Sequence, residues 1–236
     1  RWPFTRSIDS ADGTWRDAVK ARQWRCGVVS CNLARLLPHL CCPLLSMNVV
    51  AFLGSPRVGG NSETLLSEAL RGVDERRHAV RLYRLGEMNI RPCENCDDCG
   101  SSGRCIIDDD MQDVYGAIRE AHRIIVASPI FFLGLSAQTK IMIDRCQLFW
   151  HETYVRKQPI SEDPFGRKGL LLVGGGMTKE VGGQCADASA RAFFRTISVP
   201  SHETLIYLGG DEKGAISRHA TALKDAYEAG LRLVSP

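Results

Sequence analysis

Short apolar runs alternate with amphipathic stretches along most of the chain. Five runs have the length and the largely apolar character of buried strands, and they cover residues 48–54, 78–85, 123–128, 168–174 and 204–208. After each run, apolar residues recur every three or four positions, which predicts helices over 62–73, 109–122, 138–150, 186–197 and 215–233. Largely apolar strands that alternate with helices indicate a parallel sheet covered on both faces. The pattern therefore predicts an α/β domain with three layers, αβα.

The first 46 residues do not share this pattern. They contain three of the four tryptophans and no sustained periodicity, and their apolar stretch is interrupted by Pro38 and Pro43, which makes it a poor signal-peptide core. A strand-like run follows Met47 directly. We expect residues 1–46 to be a non-native or disordered extension, and residues 47–236 to form one domain.

Composition and charge exclude several classes of protein. The 236 residues are 44% hydrophobic and 24% charged, which is ordinary for a globular protein, and no apolar run approaches the roughly 18 residues that span a bilayer. The formal net charge is +3, but residues 1–46 carry seven Lys/Arg and three Asp, so residues 47–236 have a balance of −1. A domain that is not basic is a poor candidate for binding nucleic acid. We expect neither a nucleic-acid partner nor a membrane.

The segment that follows the first predicted strand has the composition of a phosphate-binding loop. A helix begins within residues 54–66, so backbone N–H groups without an intrahelical partner converge where glycines allow an anion to approach. The segment matches neither a dinucleotide fingerprint nor a Walker loop. The alternative is an ordinary turn in which Ser62 caps the helix. Six residues are candidate contacts to a phosphate monoester: Ser55, Arg57, Gly60, Asn61, Ser62 and Thr64.

Two further loops follow predicted strands and could contact a planar ring. After the third strand, a proline and three apolar residues would present flat surface and free backbone amides at the carboxyl edge of the sheet. Gly174 and Gly175 follow the fourth strand and would let backbone approach a ring closely, although a flexible surface loop is the alternative. The aromatic residues of the first loop could instead be core. The candidate contacts in that loop are Pro129, Ile130, Phe131 and Phe132.

Four of the ten cysteines lie within thirteen residues, in an irregular insertion at 91–107. Three thiolates with two-residue gaps can surround one metal centre while a fourth closes the site. Such packing indicates metal ligation in a reducing compartment, hence the cytoplasm. Zinc is an alternative, although its thiolate pairs are usually separated by more sequence, and free thiols are another. Cys146 and Cys185 are predicted to be small buried residues. The candidate metal ligands are Cys93, Cys96, Cys99 and Cys105.

These motifs resemble those of the flavodoxin-like NAD(P)H-dependent FMN reductases and iron–sulfur flavoproteins. The sequence GSPRxxGNSxTL at 54–65 resembles their FMN phosphate loop, residues 128–132 resemble the loop beside the isoalloxazine ring, and 136–145 resemble the helix that follows. The resemblance implies a flavodoxin-like doubly wound five-stranded sheet of order 2-1-3-4-5, with FMN at the carboxyl ends of the strands. It also implies that the four clustered cysteines hold one [4Fe–4S] cluster.

We therefore expect an FMN-dependent oxidoreductase that passes electrons between the cluster and FMN to a small acceptor, with a ferredoxin as a possible donor. One alternative is a cluster-independent FMN or quinone reductase with NAD(P)H as donor. Another is a non-catalytic flavodoxin-type carrier or a zinc-stabilised module. No histidine or carboxylate is predicted to be catalytic. The resemblance implies a homo-oligomer, either a dimer or a tetramer, and Phe149 and Trp150 could belong to its interface if they are exposed.

Overall fold

In the described part of the chain, five parallel strands form a central sheet. They are β1 (Asn48–Leu53), β2 (Ala79–Arg84), β3 (Arg123–Phe131), β5 (Lys168–Gly175) and β6 (Ser201–Leu208), and a two-residue strand β4 (Gly134–Leu135) pairs antiparallel with the end of β3. The sheet order is β2-β1-β3-β5-β6. Numbered without β4, this is the order 2-1-3-4-5, so the predicted flavodoxin-like fold is confirmed.

The computed structural model describes residues 46–76, 78–158, 160 and 166–235. The extension predicted for residues 1–46 lies outside these ranges, apart from Ser46. Among the described residues, none of the helices has the length and apolar character needed to cross a membrane.

Helices cover both faces of the sheet, because each presents an apolar face to it. One face packs Phe52 and Val126 against Met111, Phe149 and Phe193, whereas separate apolar residues of β1 and β5 pack on the other face. The helices are α1 (Asn61–Asp74), α2 (Asp98–Ser102), α3 (Met111–Glu120), α4 (Ala137–Arg145), α5 (Gln147–Trp150), α6 (Val181–Thr196) and α7 (Ala222–Leu233), with a π-helical turn over His151–Val155 and 3-10 turns over Leu85–Glu87 and Ile216–Arg218.

The main differences from the predicted elements lie at helix ends. The predicted helix 138–150 is divided into α4 and α5 and is followed by the π-helical turn, and the predicted helix 215–233 is reduced to a 3-10 turn and α7. Helix α6 begins five residues earlier than predicted and includes Gly183, where a Cβ atom would lie 2.8 Å from Ile206. Glycine is therefore needed here for close packing of α6 on β6, which periodicity alone does not reveal.

The two cysteines outside the cluster differ in burial. Cys146 is 2% exposed, as predicted. Cys185 is exposed, so the prediction that it is buried was wrong. It lies on α6 beside Gln184, on the side of the helix that faces away from the sheet.

Candidate functional site

Loops from four parallel strands meet at the carboxyl edge of the sheet. The loop after β6 reaches the end of β5, where the Gly210 N–H donates to the Gly175 carbonyl at 3.3 Å. It also reaches the loop after β1, where Arg57 donates to the Asp211 carbonyl at 3.0 Å. The neighbours of β1 are β2 and β3, which the chain reaches in opposite directions across the sheet. The edge is thus a topological switch point, where α/β proteins bind ligands.

Helix α1 begins directly after β1 and presents free backbone donors at this edge. Its N-cap is Gly60 in an extended conformation without a side-chain cap, so the alternative in which Ser62 caps the helix was wrong. Among the hydrogen bonds of the described residues, none is donated by the backbone N–H of Asn61, Ser62 or Glu63. Three such groups at the positive end of a helix dipole form an anion-binding site.

The acidic residue in the first turn of α1 is already neutralised. The Glu63 carboxylate accepts the Gly59 N–H at 2.6 Å and pairs with Arg84. Burial alone would raise the pKa of Glu63, but these hydrogen bonds and the charges of Arg84 and Lys213 hold it below the usual range. The Gly59 amide is consequently unavailable to a ligand, and Glu63 does not leave an unpaired negative charge at the site.

The Asn61 side chain has a different task from the one predicted. Its Nδ2 donates to the carbonyls of Gly210 and Glu212 at 3.3 and 2.9 Å, and its Oδ1 accepts the N–H groups of Gly214 and Ile216 at 3.0 and 3.4 Å. The amide therefore fastens the loop after β6 onto the phosphate loop. Asn61 can offer a ligand its backbone N–H, whereas its side chain is fully used.

Some of the other predicted phosphate contacts are already hydrogen-bonded within the protein, and others are free to bind a ligand. The Ser55 hydroxyl accepts the Arg57 N–H at 3.2 Å, and the Thr64 hydroxyl donates to the Gly60 carbonyl at 3.1 Å. Both hydroxyls shape the loop. The Ser62 hydroxyl makes no hydrogen bond in the part of the chain that the structure describes, so it is available to a ligand.

A cation that the sequence analysis missed lies over the phosphate loop. Lys213 Nζ is 3.2 Å from the position that a Cβ atom on Gly59 would occupy. Its ammonium group thus lies close to Gly59, just before the start of α1, where a positive charge complements an anion. Lys213 is about 150 positions away from the loop in the sequence, and its own segment carries no motif that would indicate the contact.

The end of β3, where the sequence predicted a loop, forms a tight, exposed hairpin with β4. Phe131 is 47% and Phe132 104% exposed, so the alternative in which both are core residues was wrong. Phe132 and Leu133 form its two-residue turn with φ of 48° and 68°, a left-handed conformation that is costly for large side chains. Ile130 is buried, and Pro129 pairs with Gly174 of β5. That these residues contact a flavin ring stays a prediction.

The glycines at the end of β5 allow close packing within the protein itself. A Cβ on Gly174 would lie 3.2 Å from the Tyr207 carbonyl oxygen, and one on Gly175 would lie 3.2 Å from Ile130 Cβ. Both glycines belong to the strand and are partly exposed at the sheet edge. That they contact a ring stays a prediction, whereas a larger residue at either position would press on the neighbouring strands.

The four clustered cysteines line a single pocket, together with Arg145, Gln147 and His151. Burial raises the pKa of Cys99, and the nearby thiols of Cys105, Cys93 and Cys96 raise it further. The backbone turns sharply around the pocket, with left-handed conformations at Asn95, Asp97 and Gly103. Within the described residues, no group of three or more His, Cys, Asp or Glu side chains is arranged to hold a single metal ion.

The strand order and the donors at the switch point define a flavodoxin-like α/β protein with an anion site after its first strand. The model of the NADPH-dependent FMN reductases matches residues 47–208, and the chain belongs to this family.

Several known proteins are similar to this chain. It is 37% identical over 99 residues to an iron–sulfur flavoprotein of Methanocaldococcus jannaschii, covering 42% of this chain and 51% of that protein. It is 34% identical over 137 residues to an iron–sulfur flavoprotein of Archaeoglobus fulgidus, covering 58% of this chain and 65% of that protein. The chain thus spans about half to two thirds of these relatives. A structure described as an NAD(P)H:quinone oxidoreductase from Methanothermobacter marburgensis shares the fold, with a TM-score of 0.63 at 20% identity, covering 81% and 98% of the two chains.

Proposed function

We propose that this protein is an FMN-dependent oxidoreductase that passes electrons between a [4Fe–4S] cluster and FMN to a small acceptor. The observation that carries the proposal is the free donor set at the start of α1, at the switch point of the sheet. Three backbone N–H groups and the Ser62 hydroxyl belong to the first turn of α1, the Lys213 ammonium lies beside Gly59 just before it, and this set fits a terminal phosphate. Family membership identifies FMN as the phosphate ester.

Each part of the edge has a task toward a bound flavin. The start of α1 binds the phosphate, and Lys213 offsets its charge. The exposed Phe131 and Phe132 cover the ring and exclude water from it. FMN supplies the ability to take electrons in pairs or singly. The chain need supply no acid or base for this chemistry, in keeping with the absence of a predicted catalytic residue.

The cysteine pocket is the feature of the structure that supports a cluster. A four-iron cluster binds four thiolates, one on each iron atom, so the four sulfurs need to line one pocket. The four clustered cysteines do line one pocket. The relatives named iron–sulfur flavoproteins give the same indication.

The pocket and the flavin site lie at opposite ends of α4. At its start, the Ser136 hydroxyl donates to the Gly54 carbonyl at 2.6 Å, and at its end Arg145 donates to Cys105 Sγ at 3.4 Å. The nine residues of α4 span about 14 Å. Cys96 is exposed, which gives a small one-electron donor such as a ferredoxin access to the pocket.

We also propose a cytoplasmic homo-oligomer, a dimer or tetramer. Phe149 is buried in the core, so it cannot belong to a subunit interface. The side chains of Trp150, Tyr154 and Val155 are 42%, 47% and 58% exposed. These three residues form a candidate contact surface beside the cysteine pocket.

Replacing Cys99 with serine tests the cluster separately from the flavin. Protein purified without oxygen is assayed for iron and sulfide, and FMN is titrated by quenching of its fluorescence. We expect about four iron atoms per wild-type chain, loss of at least half of them in Cys99→Ser, and unchanged FMN affinity. The matched control is Cys185→Ser, an exposed cysteine outside the pocket, which keeps wild-type iron.

Three results would change the proposal. Wild-type protein that binds FMN and is reduced by NADPH but contains no iron is a cluster-independent reductase. Protein that binds FMN and zinc, without reduction by NADPH, is a carrier. Protein that ignores FMN contradicts the proposal entirely.

The variant Lys213→Gln tests the phosphate contact. Riboflavin is the matched ligand, because it lacks the phosphate. We expect FMN affinity to fall about fivefold and riboflavin affinity to stay unchanged, since an exposed charge pair contributes about 1 kcal/mol or less. The loss should shrink as salt is added. Lys224→Gln on the exposed face of α7 is the control, and equal losses for both ligands would contradict the assigned contact.

A further inference from the structure

A buried arginine lies beneath the cysteine pocket. The Arg145 and Asp109 side chains are both fully inaccessible to solvent, and the guanidinium grips the carboxylate with two hydrogen bonds of 2.6 and 3.1 Å. The guanidinium of arginine stays protonated in proteins, so this buried group is a permanent cation.

This pair closes the cysteine segment at both of its ends. Before the first cysteine, Arg145 Nη1 donates to the Arg91 carbonyl at 2.8 Å, and the Arg91 N–H donates to Asp109 at 2.8 Å. After the last cysteine, Arg145 Nη2 donates to the Ile107 carbonyl at 3.5 Å, and Asp109 accepts the Met111 N–H at 3.1 Å. One ion pair thus holds both ends of the cysteine segment, the chain at Arg91 before the first cysteine and the chain at Ile107 after the last.

The same guanidinium also reaches a thiol. Arg145 Nη2 lies 3.4 Å from Cys105 Sγ, and through this contact its charge acts directly on a candidate ligand. This arrangement requires the planar guanidinium group of arginine, because its two terminal nitrogens donate to a carboxylate, two carbonyls and a sulfur at once. The ammonium group of lysine offers three donors from a single point, so it could keep the ion pair but not the full set of contacts.

Nothing in fold stability alone calls for this arrangement. Arg145 Nε is buried without a hydrogen-bond partner among the described residues, and a buried ion pair is often no more stabilising than apolar packing of the same volume. Glu94 and Asp97 line the pocket with negative charge, although Arg91 pairs with Glu94. Arg145 also lines the pocket and lies against a cysteine sulfur, so it opposes negative charge at the sulfur itself.

We propose that Arg145 is a positioning residue of the cysteine centre, which fixes both ends of the segment and raises the reduction potential of the bound cluster through its N–H···S contact with Cys105. The proposal rests on the cluster of the proposed function. Reduction adds negative charge that the four thiolates share, and a cationic donor on one sulfur stabilises the reduced form.

The test compares Arg145→Lys with Arg119→Lys. Arg119 makes a similar two-point pair with Glu152, at 2.9 and 2.6 Å, and neither residue lines the cysteine pocket. Cluster potentials are measured by redox titration with electron paramagnetic resonance, on protein purified without oxygen. We expect Arg145→Lys to keep its iron but shift the reduction equilibrium about tenfold toward the oxidised form, equivalent to about 59 mV for one electron. The Arg119 variant should match the wild type.

Amide hydrogen exchange supplies the second readout, and it does not depend on iron. In protein freed of metal, Arg145→Lys should exchange the amides of Arg91 and Met111 at least tenfold faster than the wild type, whereas Arg119→Lys should not. The double variant R145Q/D109N, which leaves no unpaired charge, covers the case in which Arg145→Lys fails to fold, and the same increase is expected from it. Wild-type protein without iron would contradict the cluster of the proposed function. Amide exchange alone would then decide whether Arg145 holds the two ends of the cysteine segment. If Arg145→Lys leaves the exchange of the Arg91 and Met111 amides unchanged, the positioning role is wrong. If it keeps all its iron and the wild-type reduction potential, the effect of Arg145 on the potential is wrong.

Discussion

Replacing Gly54 with alanine is expected to abolish FMN binding, although glycine and alanine differ by one methyl group. A Cβ at this position would stand 1.7 Å from Thr139 Oγ1 and 2.9 Å from Ser136 Oγ. Both of those side chains are fully buried, so they cannot move aside. The Gly54 carbonyl also accepts the Ser136 hydroxyl at 2.6 Å, and the methyl group would break this contact between the phosphate loop and the start of α4.

Overpacking together with a broken buried hydrogen bond should lower the free energy of unfolding by roughly 2–4 kcal/mol. FMN affinity should fall at least about 100-fold, because the overlap displaces the chain just before the donors of α1. Urea unfolding and FMN fluorescence quenching measure the two effects. The matched control is Gly116→Ala on α3, where a Cβ meets open space, and this variant should gain about 0.5–1 kcal/mol of stability with unchanged FMN affinity.

A double variant separates this steric cause from a general loss of stability. Removing the Thr139 hydroxyl in G54A/T139A eliminates the closest contact and leaves the 2.9 Å contact with Ser136 in place. FMN affinity should therefore recover in part. Wild-type FMN affinity in Gly54→Ala, or no recovery in a double variant that is folded, would contradict the assigned packing.

The fold could be predicted because its signals are local. A run such as 168–174 is apolar at every position except Lys168 and its glycines, and this marks a strand buried on both faces wherever it occurs. Helix ends were less accurate, because packing decides them: α6 begins early where Gly183 fits against Ile206, a contact between residues of different elements.

The candidate site could be predicted only as far as its donors belong to one segment. The start of α1 was found because the loop and the helix are contiguous in sequence. Lys213 was missed, and the Asn61 side chain was misassigned, because their contacts join segments about 150 residues apart. The ion pair of Arg145 and Asp109 could not be predicted either, since in the sequence each residue alone is an ordinary charged residue of a helix or a loop.

The second large effect is expected from Asn61→Ala. The amide makes four hydrogen bonds to the loop after β6, and alanine would leave two carbonyls and two N–H groups without these partners. Since parts of this contact are exposed to water, which can replace some bonds, we expect a loss of roughly 2–4 kcal/mol in the free energy of unfolding. Asn48→Ala, which removes one exposed hydrogen bond at the opposite edge of the sheet, should cost about 1 kcal/mol or less.

The released loop carries Lys213, so the same substitution should act on ligand discrimination. FMN affinity should fall about fivefold, as in Lys213→Gln, with riboflavin affinity nearly unchanged, because the displaced ammonium acts on the phosphate alone. The isosteric Asn61→Asp keeps both acceptor contacts and loses both donor contacts, while its carboxylate repels the phosphate. It should therefore be more stable than Asn61→Ala and yet prefer FMN over riboflavin less. If Asn61→Ala keeps the wild-type preference for FMN, the loop after β6 does not belong to the phosphate site.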